Sequence, residues 1–260
     1  MNYIIFLKMV PDVVEELKIA DDGKKLDDEW LRLKLNECDE HALEEAVILK
    51  EKFGGSVIVV GLDSPEIDEA LFNGLAKGAD HAVKIIGEWQ DYRSPAIARV
   101  YADFLSKKGI KIDSDTLILC GSQAIDDLEG ETIFYLSKIL NLPVNGVVTS
   151  LTVDSDQNKA TFMKEFSGGL RGQFEVTLPA IFGIQAAENP PRYIPIAKMR
   201  AVMKTSTIEE YEIPPDNLPK PLDTEKMYEP ETSGKAEMIG GSPDEIVNKI
   251  IEILTDKAII

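Results

Sequence analysis

The chain has 260 residues, 44 % apolar and 28 % charged, which is enough to bury a core and too apolar for bulk disorder. A net charge of −18 argues against a nucleic-acid partner, because neutralising phosphates takes clustered Lys and Arg. Two cysteines (Cys38, Cys120) and two histidines (His41, His81) supply no disulfide framework, no zinc spacing and a poor stock for histidine-based catalysis; no metal site is expected.

The first apolar run, residues 3–7 (YIIFL), meets Lys8, Pro11 and acids rather than a cleavage region, so it reads as a buried first strand. No run approaches the roughly 18–20 apolar residues of a membrane span, and the chain reads as cytoplasmic. Leu43, Ala46, Val47 and Lys50 then repeat at helical spacing until Gly54-Gly55. Further strands are expected at 57–61 (VIVVG), 81–86, 116–120 (TLILC), 146–149 and 180–184 (AIFGI). Ser64-Pro65 and Ser94-Pro95 read as capping hydroxyls before a proline at the first helical position, with Gly78 and Gly109 ending those helices. A fourth helix is expected at 131–140. Gly168-Gly169 between extended runs at 160–165 and 173–178 is hairpin punctuation. Alternating strands and helices predict a doubly wound, mostly parallel α/β sheet with a β-hairpin. After about Gln185, prolines at 190, 191, 195, 214, 215, 219 and 221 break every long pattern, although Tyr193, Met199, Met203, Tyr211, Met227 and Tyr228 interleave with them. Such a segment lies along a surface, its own or a partner's, or else forms a flexible linker. Ser242-Pro243-Asp244-Glu245 opens a last helix whose Ile246, Ile250 and Leu254 form an apolar stripe.

Neither GxGxxG nor GxxxxGK[ST] occurs after a strand. The TLILC run leads instead into Gly121, Ser122, Gln123, Ala124, Ile125, Asp126, Asp127, Leu128, Glu129, Gly130, Glu131 and Thr132. A polar loop at the carboxyl end of a buried strand and the start of a helix can cradle a nucleotide phosphate, with Gln123 and Thr132 as donors. The competing reading is an ordinary loop in which Asp126 or Asp127 caps the helix, since four acids repel phosphate unless they turn away or hold ribose hydroxyls. Asn36, Glu37, Cys38, Asp39 and Glu40 precede another helix, where capping by Asn36 or Asp39 is the simpler account. Asp39, Glu40, Glu44 and Glu45 read as acids favouring the helix start and solvent, not as an acid/base pair. No nucleophile, base and orienting group occur together, so no catalytic residue is assigned.

IIFLKMVPD, LNECDEHALEEAVILKEK, LAKGADHAV, LILCGSQAIDD with Thr132, MKEFSGGL, LPAIFGIQ, NPPRYIPIAKMRAVMK and MYEPETSGKAEMIGG, in this order, resemble the beta subunit of electron-transfer flavoproteins over almost the whole chain. The ending is similar to the bacterial type that serves amine or acyl-CoA dehydrogenases. The resemblance implies an adenine-nucleotide-binding α/β domain of the alpha-hydrolase-like kind at 1–188. It also implies a recognition loop and C-terminal arm at 189–260 that packs on an alpha subunit. The pair would be a heterodimer that accepts electrons from flavin dehydrogenases without its own catalytic acid or base, with FAD held largely by the alpha subunit. AMP would lie in the beta subunit, or a second FAD in the electron-bifurcating branch. By motif, the nucleotide would contact Phe6, Asn36, Glu37, Cys38, Asp39, Leu62, Gly121, Ser122, Gln123, Ala124, Asp126 and Thr132. Phe6 and Leu62 depart from the family's residue types, so only their backbone could serve. Ile196 falls at the apolar anchor of partner docking, flanked by Lys198, Met199 and Arg200. It could instead be a buried packing residue. Cys38 stands where an aromatic residue near the flavin is frequent, and Ser167 replaces an acid. Leu128, Glu129, Gly130 and Glu131 replace smaller, polar residues, which favours AMP over a second FAD. The rivals from other classes are a stand-alone adenine-nucleotide enzyme, for which that loop lacks Lys or Arg, and an ATP-binding stress module.

Overall fold

The computed structural model describes residues 1–214, 218–220, 223–230 and 236–260. Pro215, Pro221 and residues 231–235 of the ending motif lie outside the described residues. In chain order the elements are β1 (Asn2–Leu7), β2 (Met9–Pro11), β3 (Leu33–Leu35), α1 (Glu37–Phe53), β4 (Ser56–Leu62), α2 (Ile67–Lys77), β5 (His81–Ile86), α3 (Ser94–Lys107) and β6 (Thr116–Gly121). The chain continues through α4 (Thr132–Leu140), β7 (Val144–Asp154), β8 (Lys159–Phe166), β9 (Leu170–Thr177), β10 (Ala180–Ile184), α5 (Ile196–Thr205), β11 (Glu209–Glu212) and α6 (Pro243–Asp256). Among the described residues no helix is long and apolar enough to cross a membrane.

One nine-stranded sheet runs β11-β5-β4-β1-β6-β10-β7-β8-β9. The strands from β11 to β7 pair in parallel, and β8 and β9 continue antiparallel. The doubly wound mostly parallel α/β fold is thus present, with its β-hairpin turning through Gly168 and Gly169 at φ 76° and 73°. Continuous apolar runs suit strands covered on both faces, and the alternation of side chains assigns each residue to one. Tyr3, Ile5 and Leu7 of β1, with Val57, Val59, Leu117 and Leu119, pack under α1 and α2 through Leu43, Val47, Ile67 and Leu71. Ile4 and Phe6, with Val60, Ile118 and Cys120, pack under α3 and α4 through Val100, Phe104, Ile133 and Leu136.

From β1 the chain winds outward to β4 and β5, then returns to the other side of β1 to place β6. Beyond the carboxyl ends of β1 and β6 the winding direction reverses, and in open α/β sheets ligands bind in the crevice at such a point. The α1 turn and the loop after β6 both open there.

Two caps differ from expectation. Ser64 caps nothing: its hydroxyl donates to Leu62 O at 3.3 Å, and α2 begins after Glu66, which takes a left-handed φ of 66°. Ser94 is itself the first residue of α3, and its hydroxyl serves the loop after β6 instead. The proline-dense segment also holds more order than its composition suggests. Residues 196–213 are free of proline, so Pro195 can stand before a ten-residue α5 and β11 can pair with β5. Contacts divide the chain into Met1–Glu225, which holds the whole sheet, and Lys226–Ile260, which holds α6. The α6 capping box is formed: Ser242 Oγ accepts from Glu245 N, and the Glu245 carboxylate accepts from Ser242 N at 2.7 Å.

Candidate functional site: a turn and a loop joined at the switch point

Asp39 is buried and ties the region together. Its carboxylate accepts from Lys8 N at 3.0 Å and from Gly121 N at 2.6 Å, joining α1 to the ends of both central strands. Burial pushes its carboxyl up to about 6, outweighing the two N–H bonds that favour the charged form. Asn36, also buried, sends its side-chain amide to Gln123 O at 2.9 Å, while its own N–H donates to Lys8 O. Neither residue makes a side-chain cap on α1, so the capping account of this turn is overturned. The side chains are spent instead on a loop more than 80 positions away.

The same correction applies further along α1. Glu44 and Glu45 are buried rather than solvated, at 2 % and 0 % exposure. Glu45 accepts from Leu151 N and Glu188 N, each at 3.0 Å, and Glu44 accepts from Arg192 N and Nε. Carboxylates placed so are acceptors for backbone that would otherwise be orphaned.

Within the loop, Gly121 cannot carry a side chain: a Cβ there would lie 2.5 Å from Asp39 Oδ1 and 2.7 Å from Cys38 Cβ. Ser122 N donates to Ile184 O, and its hydroxyl makes a weak 3.8 Å contact to Cys38 Sγ. Burial raises the Cys38 thiol above its ordinary value, so Cys38 is a neutral packing group here. Gln123 closes the loop on itself through Leu128 O at 2.7 Å, and Leu128 and Gly130 both take positive φ. Asp126 and Asp127 are not helix caps. Both meet Lys8 Nζ, at 2.7 and 2.6 Å. Burial alone would lower the Lys8 ammonium, but the two aspartates raise it, so it stays charged. Thr132 Oγ1 donates to Ser94 Oγ, which donates to Glu129 at 2.8 Å. Beside them a cavity of about 190 Å³ is lined by Arg93, Glu129, Glu131 and Lys220 among others.

Of the remaining expected contacts, Ala124 is buried and Glu37 points to solvent on the first turn of α1. The Phe6 ring is buried and stacks on Tyr101 at 3.8 Å between centroids, and Leu62 lies in the same core cluster. Neither side chain is free for a ligand, which leaves only their backbone.

Residues 25–216 match the family model described as "Electron transfer flavoprotein domain". The chain is 31 % identical to "Electron transfer flavoprotein subunit beta" of Methylophilus methylotrophus, over 98 % of each chain. It is 30 % identical to the protein of the same name from Bacillus subtilis (strain 168), over 99 % of each. To the mitochondrial subunit beta of Arabidopsis thaliana it is 27 % identical, over 96 % of this chain and 97 % of that one. The chain belongs to the electron transfer flavoprotein family.

In this family member the segment expected to dock a partner is helical from Ile196 onward. Ile196 is 64 % exposed and Lys198 and Arg200 are exposed, while Met199 is half-buried. Arg192 anchors the approach to α5, donating to Glu44 at 2.8 Å and to both oxygens of Glu51 at 2.6 and 3.1 Å. The sequence alone gives Lys8 and Arg192 no site role and marks Ser94 only as a helix cap. Lys8 alone left a signal: a cation directly after the last apolar residue of the first buried strand.

Proposed function

We propose that this chain is the beta subunit of a heterodimeric electron carrier. With an alpha subunit it accepts electrons from flavin dehydrogenases of the acyl-CoA or amine type and passes them to a downstream acceptor in the cytoplasm. Residues 1–188 form the adenine-nucleotide-binding domain, and 189–260 form the recognition segment and the arm that packs on the alpha subunit. FAD, held mainly by that subunit, supplies the redox chemistry when bound. This chain acts as a carrier subunit rather than an enzyme. It orients one wall of the flavin's environment and buries AMP against Asn36, Glu37, Cys38, Asp39 and the 121–132 loop, with backbone from Phe6 and Leu62. The observation that carries the reading is the convergence of the α1 turn and the loop after β6 on one switch point, held by Asp39 and Asn36. Amides at the start of α4 suit a phosphate there, and the Thr132 hydroxyl could join them by exchanging its bond to Ser94.

Co-purification with the alpha subunit tests the proposal. One FAD and one AMP released per denatured heterodimer, with flavin absorbance before denaturation, is the expected result. Two FAD with reduction by NADH would show a bifurcating carrier, and no flavin would sink the proposal.

Docking rests on Ile196, an exposed apolar knob among Lys198, Met199 and Arg200. A small anchor of this kind gives reversible affinity and fast release, as a shuttle needs. Ile196→Glu is expected to slow reduction by the donor dehydrogenase by about 30-fold, the equivalent of one interface hot spot, with flavin content unchanged. Unchanged reduction kinetics would remove Ile196 from the interface.

A further inference from the structure

The 121–132 loop carries Asp126, Asp127, Glu129 and Glu131, an unpromising set for a segment proposed to receive a phosphate. Like charges at close range disfavour each other strongly where water is partly excluded. The fold meets this with a cation from elsewhere. Lys8 leaves the end of β1, 118 positions before its first partner, and places Nζ 2.7 Å from Asp126 and 2.6 Å from Asp127. Asp127 is only 12 % exposed at its side chain, Asp126 25 % and Lys8 34 %, so water screens the cluster only in part. Glu129 is held separately by Ser94, and Glu131 shares a cavity wall with Arg93 and Lys220.

We propose that Lys8 is a specificity-determining residue for the bound nucleotide: by offsetting one of the two charges of Asp126 and Asp127 it allows an acidic loop to take a phosphate monoester, and so favours AMP over the uncharged nucleoside. The inference rests on the nucleotide reading above. Lys8 acts through the aspartates and not by touching phosphate, which gives it a signature that a purely structural latch lacks. A latch that fails loosens the loop for any adenine ligand. A charge canceller that fails penalises only the charged one.

Equilibrium dialysis of AMP and of adenosine against the nucleotide-depleted heterodimer separates the two. Lys8→Met is expected to weaken AMP by about 30-fold or more and adenosine by less than about threefold, since one uncancelled nearby charge in a partly buried site is worth a factor of that order. Removing as well the carboxylate that is not a named nucleotide contact, in the double variant K8M/D127N, restores the wild-type net charge of the cluster and is expected to bring AMP back to within about threefold of wild type. Equal losses for AMP and adenosine, or no loss for either, overturn the proposal. So does a double variant that binds adenosine but not AMP, because the ammonium would then be needed for itself. If Lys8→Met does not fold, the double variant decides alone. Wild-type heterodimer that binds neither probe overturns the nucleotide reading and this inference with it, a result distinct from the others.

Discussion

Gly121→Ala is expected to lower the unfolding free energy by about 3–5 kcal/mol and, on the nucleotide site proposed above, to abolish AMP binding. The added methyl would stand 2.5 Å from Asp39 Oδ1 and 2.8 Å from Asp39 N. Neither is the far end of a flexible chain: the oxygen is fixed by the Lys8 and Gly121 amides, and the nitrogen belongs to α1. The carboxylate would have to leave, stranding two amide donors, or α1 would have to shift from the sheet. Overpacking and the lost hydrogen bonds therefore add. Gly240→Ala is the control: it meets nothing within 4 Å, and its φ is not positive, so a change within about 0.5 kcal/mol is expected. Denaturant midpoints of the two variants provide the measurement, and a Gly121→Ala midpoint equal to wild type would show that the crosslink is not rigid.

The second large effect is a dependence on pH with an unusual sign. The Asp39 carboxyl titrates near 6 in the folded chain, above its ordinary value of 3.8, so the folded state holds the proton more tightly than the unfolded one. Its contribution is therefore fully present below about pH 4 and is lost as pH rises through 6, opposite in direction to an ion-paired carboxylate. A shift of about two units corresponds to about 3 kcal/mol. Asp39→Asn cannot titrate. The stability difference, wild type minus variant, is expected to fall by about 2 kcal/mol between pH 4 and pH 7, most of the full shift, because the other acids titrate alike in both proteins. Urea titrations at the two pH values measure it, and a flat difference would mean that Asp39 is as well solvated as an ordinary aspartate.

Those two residues also show what sequence could and could not reveal. The strands β1, β4, β6 and β10 were legible because burial on both faces demands runs such as VIVVG and TLILC, and burial is a local property of composition. The glycine loop was legible for the same reason, being flanked by a strand and a helix. Asp39 was not. A carboxylate in the first turn of a helix is the ordinary choice for the helix dipole, and only the fold brings Gly121, 82 positions later, within 2.6 Å. Lys8 shows only as a cation closing a buried strand, because its partners lie beyond position 120. Glu44 and Glu45 were read as solvated because acids on a helix usually are, whereas here unpaired amides at 151, 188 and 192 call for acceptors. The order at 196–213 is masked by the proline density of the whole tail and shows only in the proline-free gap between Pro195 and Pro214.

The carboxylates spaced along α1 give the helix a further role. Its first turn grips the proposed nucleotide loop through Asp39, and its middle and last turns grip the approach to α5 through Glu44, Glu45 and Glu51, a span of about 20 Å at 1.5 Å per residue. A rod pinned at both ends transmits position but absorbs no strain. The proposed nucleotide end and the proposed docking end are therefore tied to one helix, so a displacement of either is carried to the other along α1.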